Sequence, residues 1–438
     1  MTLPVLPRRL NGEHCQVSPT KSSIVCVLDV GSVKVACLIA RLRPKEGDEV
    51  LAGRTHAIEV MGYGYQRARG IKSGQIVDLD GAEHAIRLAV DAAERMAGLT
   101  IESLIVTQTC GRISSEIVSA DVALSGDQVS ASDIRRVLVA GSAHSVRDGR
   151  VALHALPIGY RLDTQSGIRD PLGMVGDRLG VDIHVVTADR PAHDNLSLAV
   201  SRCHLDIDGV VATPYASGLA TLVDDEAELG AVVIDIGGGT SSIAMFGEGQ
   251  VLHVDAVAIG GHHVTLDIAN GLSIGLDDAE RLKTLHGSTL VTQADERDVL
   301  TIHPVGETDA GAIQHVPRST LNRIIRPRVD EILELVRDRL VASGFAGRIG
   351  RRVVLTGGGS LLTGLPDVAR AVFGRSVRLG RPLGVAGLPE AARGPAFAAV
   401  VGLLIYPQLA TLAVTGVGRS GGRGGYLARV GRWLRESF

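Results

Sequence analysis

Twice along this chain a short apolar strand runs straight into an aspartate and a glycine turn. The first copy is Ile24–Leu28 followed by Asp29, Val30 and Gly31, and the second is Ala231–Ile234 followed by Asp235, Ile236 and Gly237–Gly239. A run of β-branched residues without polar alternation reads as a strand buried on both faces, and in α/β sheets such strands offer their next residues at the carboxyl edge, where ligands bind. Each copy reads as the start of a hairpin, the first returning as a strand over Val33–Ala40. A third strand, Val353–Thr356, ends in Gly357–Gly359. With 54 glycines in 438 residues a single glycine turn carries little weight, so the order and repetition of the three units carry the argument.

The residue types fit a phosphate site. Asp29 and Asp235 can hold a hydrated Mg²⁺, a compact cation suited to oxygen ligands. Gly31 and Gly237–Gly239 allow backbone N–H groups to approach a phosphate with no Cβ in the way. Ser32 and Thr240 add hydroxyl donors and Lys34 a cation. Gly357, Gly358, Gly359 and Ser360 offer a bare surface for a purine or ribose. Other nucleotide motifs fail on context. No G-x-x-x-x-G-K-[ST] loop is present, Gly64–Ser73 having the wrong spacing. The G-x-G-x-x-G at Gly416–Gly421 is followed by more glycine instead of a helix.

Elsewhere strands alternate with helical periodicity. Helices are expected at Ala82–Met96, from a Ser132 cap to Ala140, and over Pro191–Cys203. Strands are expected near Ser103–Thr109, Ile117–Val122, Val151–Ile158 and Val181–Thr187, with a loop-rich stretch at Gly167–Gly180. This is an α/β pattern with two related lobes. Aromatics make up only 3% of the chain, so its cores are aliphatic. The net charge of −3 and the lack of a basic run argue against a nucleic-acid partner. Five scattered cysteines without C-x-x-C spacing suit a reducing cytoplasm, and residues 1–22 have no signal-peptide core. The apolar run from Ala396 is interrupted at Pro407 and Gln408, which makes it a buried helix and too short for a membrane span.

Ile24–Lys34, Val232–Thr240 and Val353–Leu361 resemble the first phosphate, second phosphate and adenosine motifs of the actin/DnaK/sugar-kinase superfamily. Within it the chain is most similar to the FtsA family of actin-like bacterial cell-division proteins, over nearly its whole length. Arg69–Gly74, Gly167–Gly173, Ala279–Gly287 and Val400–Tyr406 support the match. The resemblance implies an actin-like two-lobe ATPase fold with an inserted mixed α/β domain in place of the usual small subdomain, and ATP with Mg²⁺ as ligands. It adds Glu280 and Lys283, whose counterparts approach the ribose and adenine; three residues apart, they share a helical face. The expected organisation is a disordered N-terminus over 1–22, and a first lobe over 23–82, resuming at 179–212 and 390–407. The insertion is expected over 83–178, and the second lobe over 213–389 with a small subdomain at about 260–320.

Hydrolysing members of the superfamily place an acid or amide in the stretch that here reads Ala212–Ala220, which has neither. Tight nucleotide binding with slow hydrolysis at most is therefore expected. Adjacent His262 and His263 diverge and lack a third partner, so no metal site is read there.

Residues 408–425 read as a flexible linker, with six glycines in Gly416–Gly425. Beyond it, Tyr426, Leu427, Val430, Trp433, Leu434 and Phe438 form one helical stripe, flanked by Arg429, Arg432 and Arg435. Three of the chain's twelve aromatics, including its only Trp, lie in these thirteen residues. That is the pattern of an in-plane membrane anchor. One such helix binds weakly after its ordering cost, while many on a polymer bind firmly through avidity. The family resemblance implies a protomer that polymerises on the cytoplasmic membrane at the septum. It also implies a tether for the FtsZ ring and recruitment of later division proteins through the insertion. The alternatives are a small-molecule kinase or a pilus-assembly protein of the same superfamily.

Overall fold

The computed structural model describes residues 17, 18, 20–45, 54–109, 112–142, 146–305, 313–345, 347 and 350–409. The first two residues of the expected linker, Gln408 and Leu409, instead end a helix; the rest of it, the anchor residues Tyr426, Leu427, Arg429, Val430, Arg432, Trp433, Leu434, Arg435 and Phe438, and residues 1–16 lie outside the described residues.

The first strand, Ser23–Val30, shows why a two-sided apolar run specifies a central position. Its side chains alternate. Val25 and Val27 join a core with the helix Ala398–Leu409, while Cys26, Leu28 and Val30 join another with the helix Leu79–Ala97. It pairs antiparallel with Lys34–Pro44, Asp29 opposite Ala36, and parallel with Ser103–Gln108. The six-stranded sheet runs 206–212, 103–108, 23–30, 34–44, 56–67, 385–386. The long strand His56–Arg67, unforeseen from the sequence, carries Gly64 in its middle. A Cβ there would lie 1.7 Å from the Ala89 carbonyl oxygen, so this glycine lets the helix Leu79–Ala97 rest on the sheet backbone.

The second lobe repeats the plan. Ala231–Ile236 pairs antiparallel with Ser241–Gly247 and parallel with Arg352–Thr356, Asp235 opposite Thr356. Its five-stranded sheet runs 250–257, 241–247, 231–236, 352–356, 376–379. The helices Gly261–Leu272, Arg318–Ala342 and Leu365–Phe373 complete an aliphatic core on one face. The helices Thr213–Thr221 and Ala398–Leu409 meet so closely that a Cβ on Gly402 would lie 1.8 Å from the Ala216 carbonyl oxygen.

The insertion is a four-stranded antiparallel sheet in the order 114–123, 178–189, 150–162, 165–168, crossed by the helix Ala131–Ser142. Its bounds differ from 83–178. The helix Leu79–Ala97 and strand Ser103–Gln108 belong to the first lobe, because their apolar faces close its sheet, and Arg178–Asp189 belongs to the insertion, where it pairs with two neighbours. The first lobe also resumes at the short strand Val385–Ala386, ahead of residue 390. Ser130 rather than Ser132 caps the insertion's helix, its hydroxyl accepting from the Asp133 N–H at 3.3 Å. The helix Ala398–Leu409 is buried and continues through Pro407. Buried Gln408 accepts from the His56 N–H at 3.0 Å, so the break expected there is absent. No helix among the described residues is long and apolar enough to cross a membrane.

Candidate nucleotide cleft

Both glycine turns close in the same way. The Gly31 N–H donates to the Lys34 carbonyl and the Gly237 N–H to the Thr240 carbonyl, each at 2.9 Å. The tips face one another across a cleft of about 680 Å³, with Gly238 against Val33 and Gly239 against Ser32. A Cβ on Gly238 would lie 2.2 Å from Val33 Cγ2. The helix Gly261–Leu272 begins on the second turn: the Gly261 and His262 N–H groups donate to the carbonyls of Gly237 (2.9 Å) and Gly238 (2.8 Å). The second hairpin is therefore held from behind.

Asp29 and Asp235 stand at the base of these turns, each 7% exposed. Thr107 donates to Asp29 at 2.7 Å, and Ser217 donates to Asp235. Burial pushes the Asp235 carboxyl up to about 6, with the neighbouring Asp29 acting in the same direction against the Ser217 hydroxyl and Lys34. Lys34 is half-buried over the Phe397 ring, 3.9 Å from its centroid, and donates to the Ala396 carbonyl. Burial lowers its pKa, and both aspartates act against that shift. Paired buried carboxylates beside a half-buried cation, at the base of two glycine turns, suit a cation–phosphate ligand.

The opposite end of the cleft is built by the helix Leu276–His286 and the glycine loop. Lys283 bridges the Glu280 carboxylate (2.7 Å), Thr265 Oγ1 (2.7 Å) and the Gly261 carbonyl (3.0 Å). Thr265 also donates to Glu280, at 2.5 Å. Burial opposes the Glu280 charge, but Lys283 and Thr265 outweigh it and hold the carboxyl below its usual range. Gly357, at φ +80°, packs directly on the Asp235 carboxylate. Gly358 and Gly359 line the wall, whereas Ser360 turns inward and donates to the Gly357 carbonyl at 2.7 Å.

Fourteen of the fifteen ligand residues expected from the sequence, Asp29 through Gly359, thus line one cleft; the inward-turned Ser360 supports its wall. Ser32 faces it while accepting from the Gly74 N–H at 2.7 Å. Thr107, Ser217, Thr265 and Phe397 escaped the sequence reading. Ser217 lies within Ala212–Ala220, and its contact depends on a helix packing behind a strand eighteen residues away. His262 lines the cleft, and His263 accepts from the Gly260 N–H at 3.1 Å. Among the described residues no group of three His, Cys, Asp or Glu side chains is placed to hold a metal. Asp29 and Asp235 are two oxygen donors, a set that suits Mg²⁺ shared with phosphate oxygens and water.

The family model described as cell division protein FtsA matches residues 232–402, and that of the SHS2 domain inserted in FtsA matches residues 110–187. The latter agrees with the four-stranded insertion. The cell division protein FtsA of Agrobacterium fabrum is 57% identical over 427 residues, covering 96% of each chain. That of Escherichia coli K12 is 31% identical, covering 96% of this chain and all of the relative. Among solved structures, the PilM–PilN type IV pilus biogenesis complex aligns with a TM-score of 0.58 at 16% identity, covering 88% of this chain and 98% of that one. Spiroplasma citri MreB5 bound to ADP aligns with a TM-score of 0.50 at 14% identity, covering 89% and 97%. These two share the actin-like fold. The chain belongs to the FtsA family of cell division proteins.

Proposed function

We propose that the cleft binds ATP with Mg²⁺ and that the nucleotide sets the assembly state of a membrane-bound protomer. The observation that carries this reading is the pair of matched turns, Gly31 to Lys34 and Gly237 to Thr240, opposed over Asp29 and Asp235. Their N–H groups, with Ser32, Thr240 and Lys34, would hold the phosphates. Asp29 and Asp235 would hold the Mg²⁺, which supplies charge neutralisation between phosphate oxygens. Gly357–Gly359, shaped by Ser360, would lie along the adenosine, and Glu280 with Lys283 would meet its ribose and base. A solved MreB5 of this fold holds ADP, which supports the assignment. The helix Thr213–Thr221 brings Thr213 but no acid or amide to the cleft, so hydrolysis would be slow.

In this reading the protein polymerises on the cytoplasmic face of the cell membrane at the division septum. It holds the FtsZ ring there through the amphipathic segment 426–438 and engages later division proteins through the insertion. Family membership and the arginine-flanked stripe of Tyr426, Leu427, Val430, Trp433, Leu434 and Phe438 support it.

Two measurements test it. Titration calorimetry is expected to give Mg²⁺-dependent ATP binding that is lost in the Gly238→Val variant. Flotation with anionic liposomes is expected to carry the full chain but not a chain ending at Gly425. Equal flotation of both chains would refute the anchor, and absence of nucleotide binding would refute the cleft assignment.

A further inference from the structure

Away from the cleft, three histidines meet where the inserted sheet rests on the body. His154 lies opposite Val186 and His184 opposite Leu156, so the two are diagonal neighbours on one face of the inserted sheet. Ser115, opposite Val186 on the other side, shares that face. Its hydroxyl accepts from the Val254 N–H at 2.8 Å, donates to the Val254 carbonyl at 3.0 Å and lies 3.3 Å from His253 Nδ1. The strand Gln250–Val257 of the second lobe is thereby fixed against the insertion. His154 reaches the first lobe instead. Its Nε2 accepts from the Ala212 N–H at 2.9 Å, and its ring packs edge-on against Tyr215, centroids 5.4 Å apart, and beside Tyr406.

His154 is 1% exposed and His184 fully buried. Nevertheless His154 Nδ1, both ring nitrogens of His184 and His253 Nε2 are buried with no hydrogen-bond partner. Orphaned polar atoms at this density are rare in folded proteins and call for a cause. No three of the described residues' His, Cys, Asp or Glu side chains have metal-holding geometry, so the rings are not arranged as a ligand set. What they share is that each would gain a charge on protonation, in one place where the inserted sheet meets the body.

We propose that His154, His184 and His253 form a proton-sensitive latch: as neutral rings they let the inserted domain dock on the body, and their protonation releases it. The surroundings offer little to offset a positive charge. Asp255, two residues from His253, is the carboxylate that acts on that ring, and it is already shared with Arg339 at 3.4 Å. Asp182, two residues from His184, is bonded to Ser119 (2.6 Å) and Arg161 (3.1 Å). Glu116 extends from the opposite face of its strand. Tyr215 stays a neutral phenol, burial pushing it up to about 12. Burial drives His154 down to about 4. Burial, with His253 and His154 beside it, drives His184 down to about 3, and burial also lowers His253.

The sign follows from these directions. A histidine held neutral when docked and free to titrate near its usual value of about 6.5 when released favours docking fully above that value. Docking weakens as the pH falls below it, down to the docked values. Between pH ~7.5 and ~5.5 each fully buried ring shifts the docking equilibrium about 10-fold, so His154 and His184 together give about 100-fold.

Hydrogen–deuterium exchange of the full chain, corrected for the intrinsic rate at each pH, reads this directly. Protection of the Val254 and Ala212 amides, which donate across the junction to Ser115 and His154, is expected to fall about 100-fold across that range, while Ser23–Val30 and Ala231–Ile236 stay protected. His184→Leu removes one titrating ring without adding a polar atom and is expected to cut the change to about 10-fold. His154→Gln keeps an acceptor for the Ala212 N–H and provides an independent variant with the same expectation. An unchanged pH response in both variants would overturn the proposal. So would ring NMR shifts showing His184 titrating near 6.5 while the junction stays protected. Loss of protection on EDTA treatment at pH ~7.5 would show that a metal holds the junction, and the proposal would fall.

Discussion

Gly357 packs against the Asp235 carboxylate so closely that a Cβ on it would lie 2.3 Å from Asp235 Oδ1. Asp235 lies on one strand and Gly357 directly follows its parallel neighbour, with Asp235 opposite Thr356, so the register of one strand pair sets the spacing between the proposed cation and adenosine sites. Gly357→Ala would also strain a backbone at φ +80°. A loss of about 1–3 kcal/mol of stability is expected, with nucleotide affinity falling at least ~10-fold. Thermal melts and calorimetry check the two effects separately.

Asp235 carries a pH signature. Its carboxyl is raised from an ordinary value of 3.8 to about 6 by burial, so in the nucleotide-free protein its contribution is fully present below about 4 and lost as pH rises through about 6. Asp235→Asn removes that dependence. The stability difference between variant and parent should grow by about 3 kcal/mol over this range, in the variant's favour. Urea titrations at a series of pH values measure it, and comparing the chains at each pH cancels the histidine contribution. The same substitution is expected to weaken Mg²⁺-dependent ATP binding.

Lys283 ties Glu280, Thr265 and the Gly261 carbonyl into one corner of the cleft. Its loss in Lys283→Ala leaves Glu280 without its cation. ATP affinity is expected to fall about 10-fold or more, with stability changed by about 1 kcal/mol or less because Glu280 is half exposed. A fall in melting temperature without a change in affinity would contradict the placement of this pair at the ligand.

The contact of Gly402 with the Ala216 carbonyl joins the last described helix to the helix behind Asp235. Gly402→Val forces those backbones apart. A cost of about 3 kcal/mol is expected in urea unfolding, as overpacking in a rigid core cannot be relieved by rotamer change.

Trp433→Glu places a charge on the apolar stripe of the terminal segment. Flotation with anionic liposomes is expected to drop close to that of the chain ending at Gly425, while ATP binding by the body stays unchanged.

Much of the cleft was legible in the sequence because its parts are local. A strand, an aspartate and a glycine turn occupy adjacent positions, and the same chemistry twice over identifies two lobes before either is folded. Glu280 and Lys283 came from family resemblance, their helical spacing only making the pairing sensible. The insertion's limits were misplaced because the helix Leu79–Ala97 and strand Ser103–Gln108 carry ordinary amphipathic patterns. Nothing local states which sheet will bury them. Pro407 misled for a related reason: the helix Ala398–Leu409 is held by burial on several sides, which outweighs the single missing N–H.

The sequence by itself determined the two strand–aspartate–glycine turns and the glycine wall, since each follows from backbone freedom and residue period within about a dozen positions. Only the tertiary structure decided that Thr107 and Ser217 would hold the two aspartates and that Phe397 would sit under Lys34. It alone brought His154, His184 and His253 together where the inserted sheet meets the body. These contacts join residues up to hundreds of positions apart, and they exist because sheet register and helix packing, set by burial of the whole core, bring distant strand ends together.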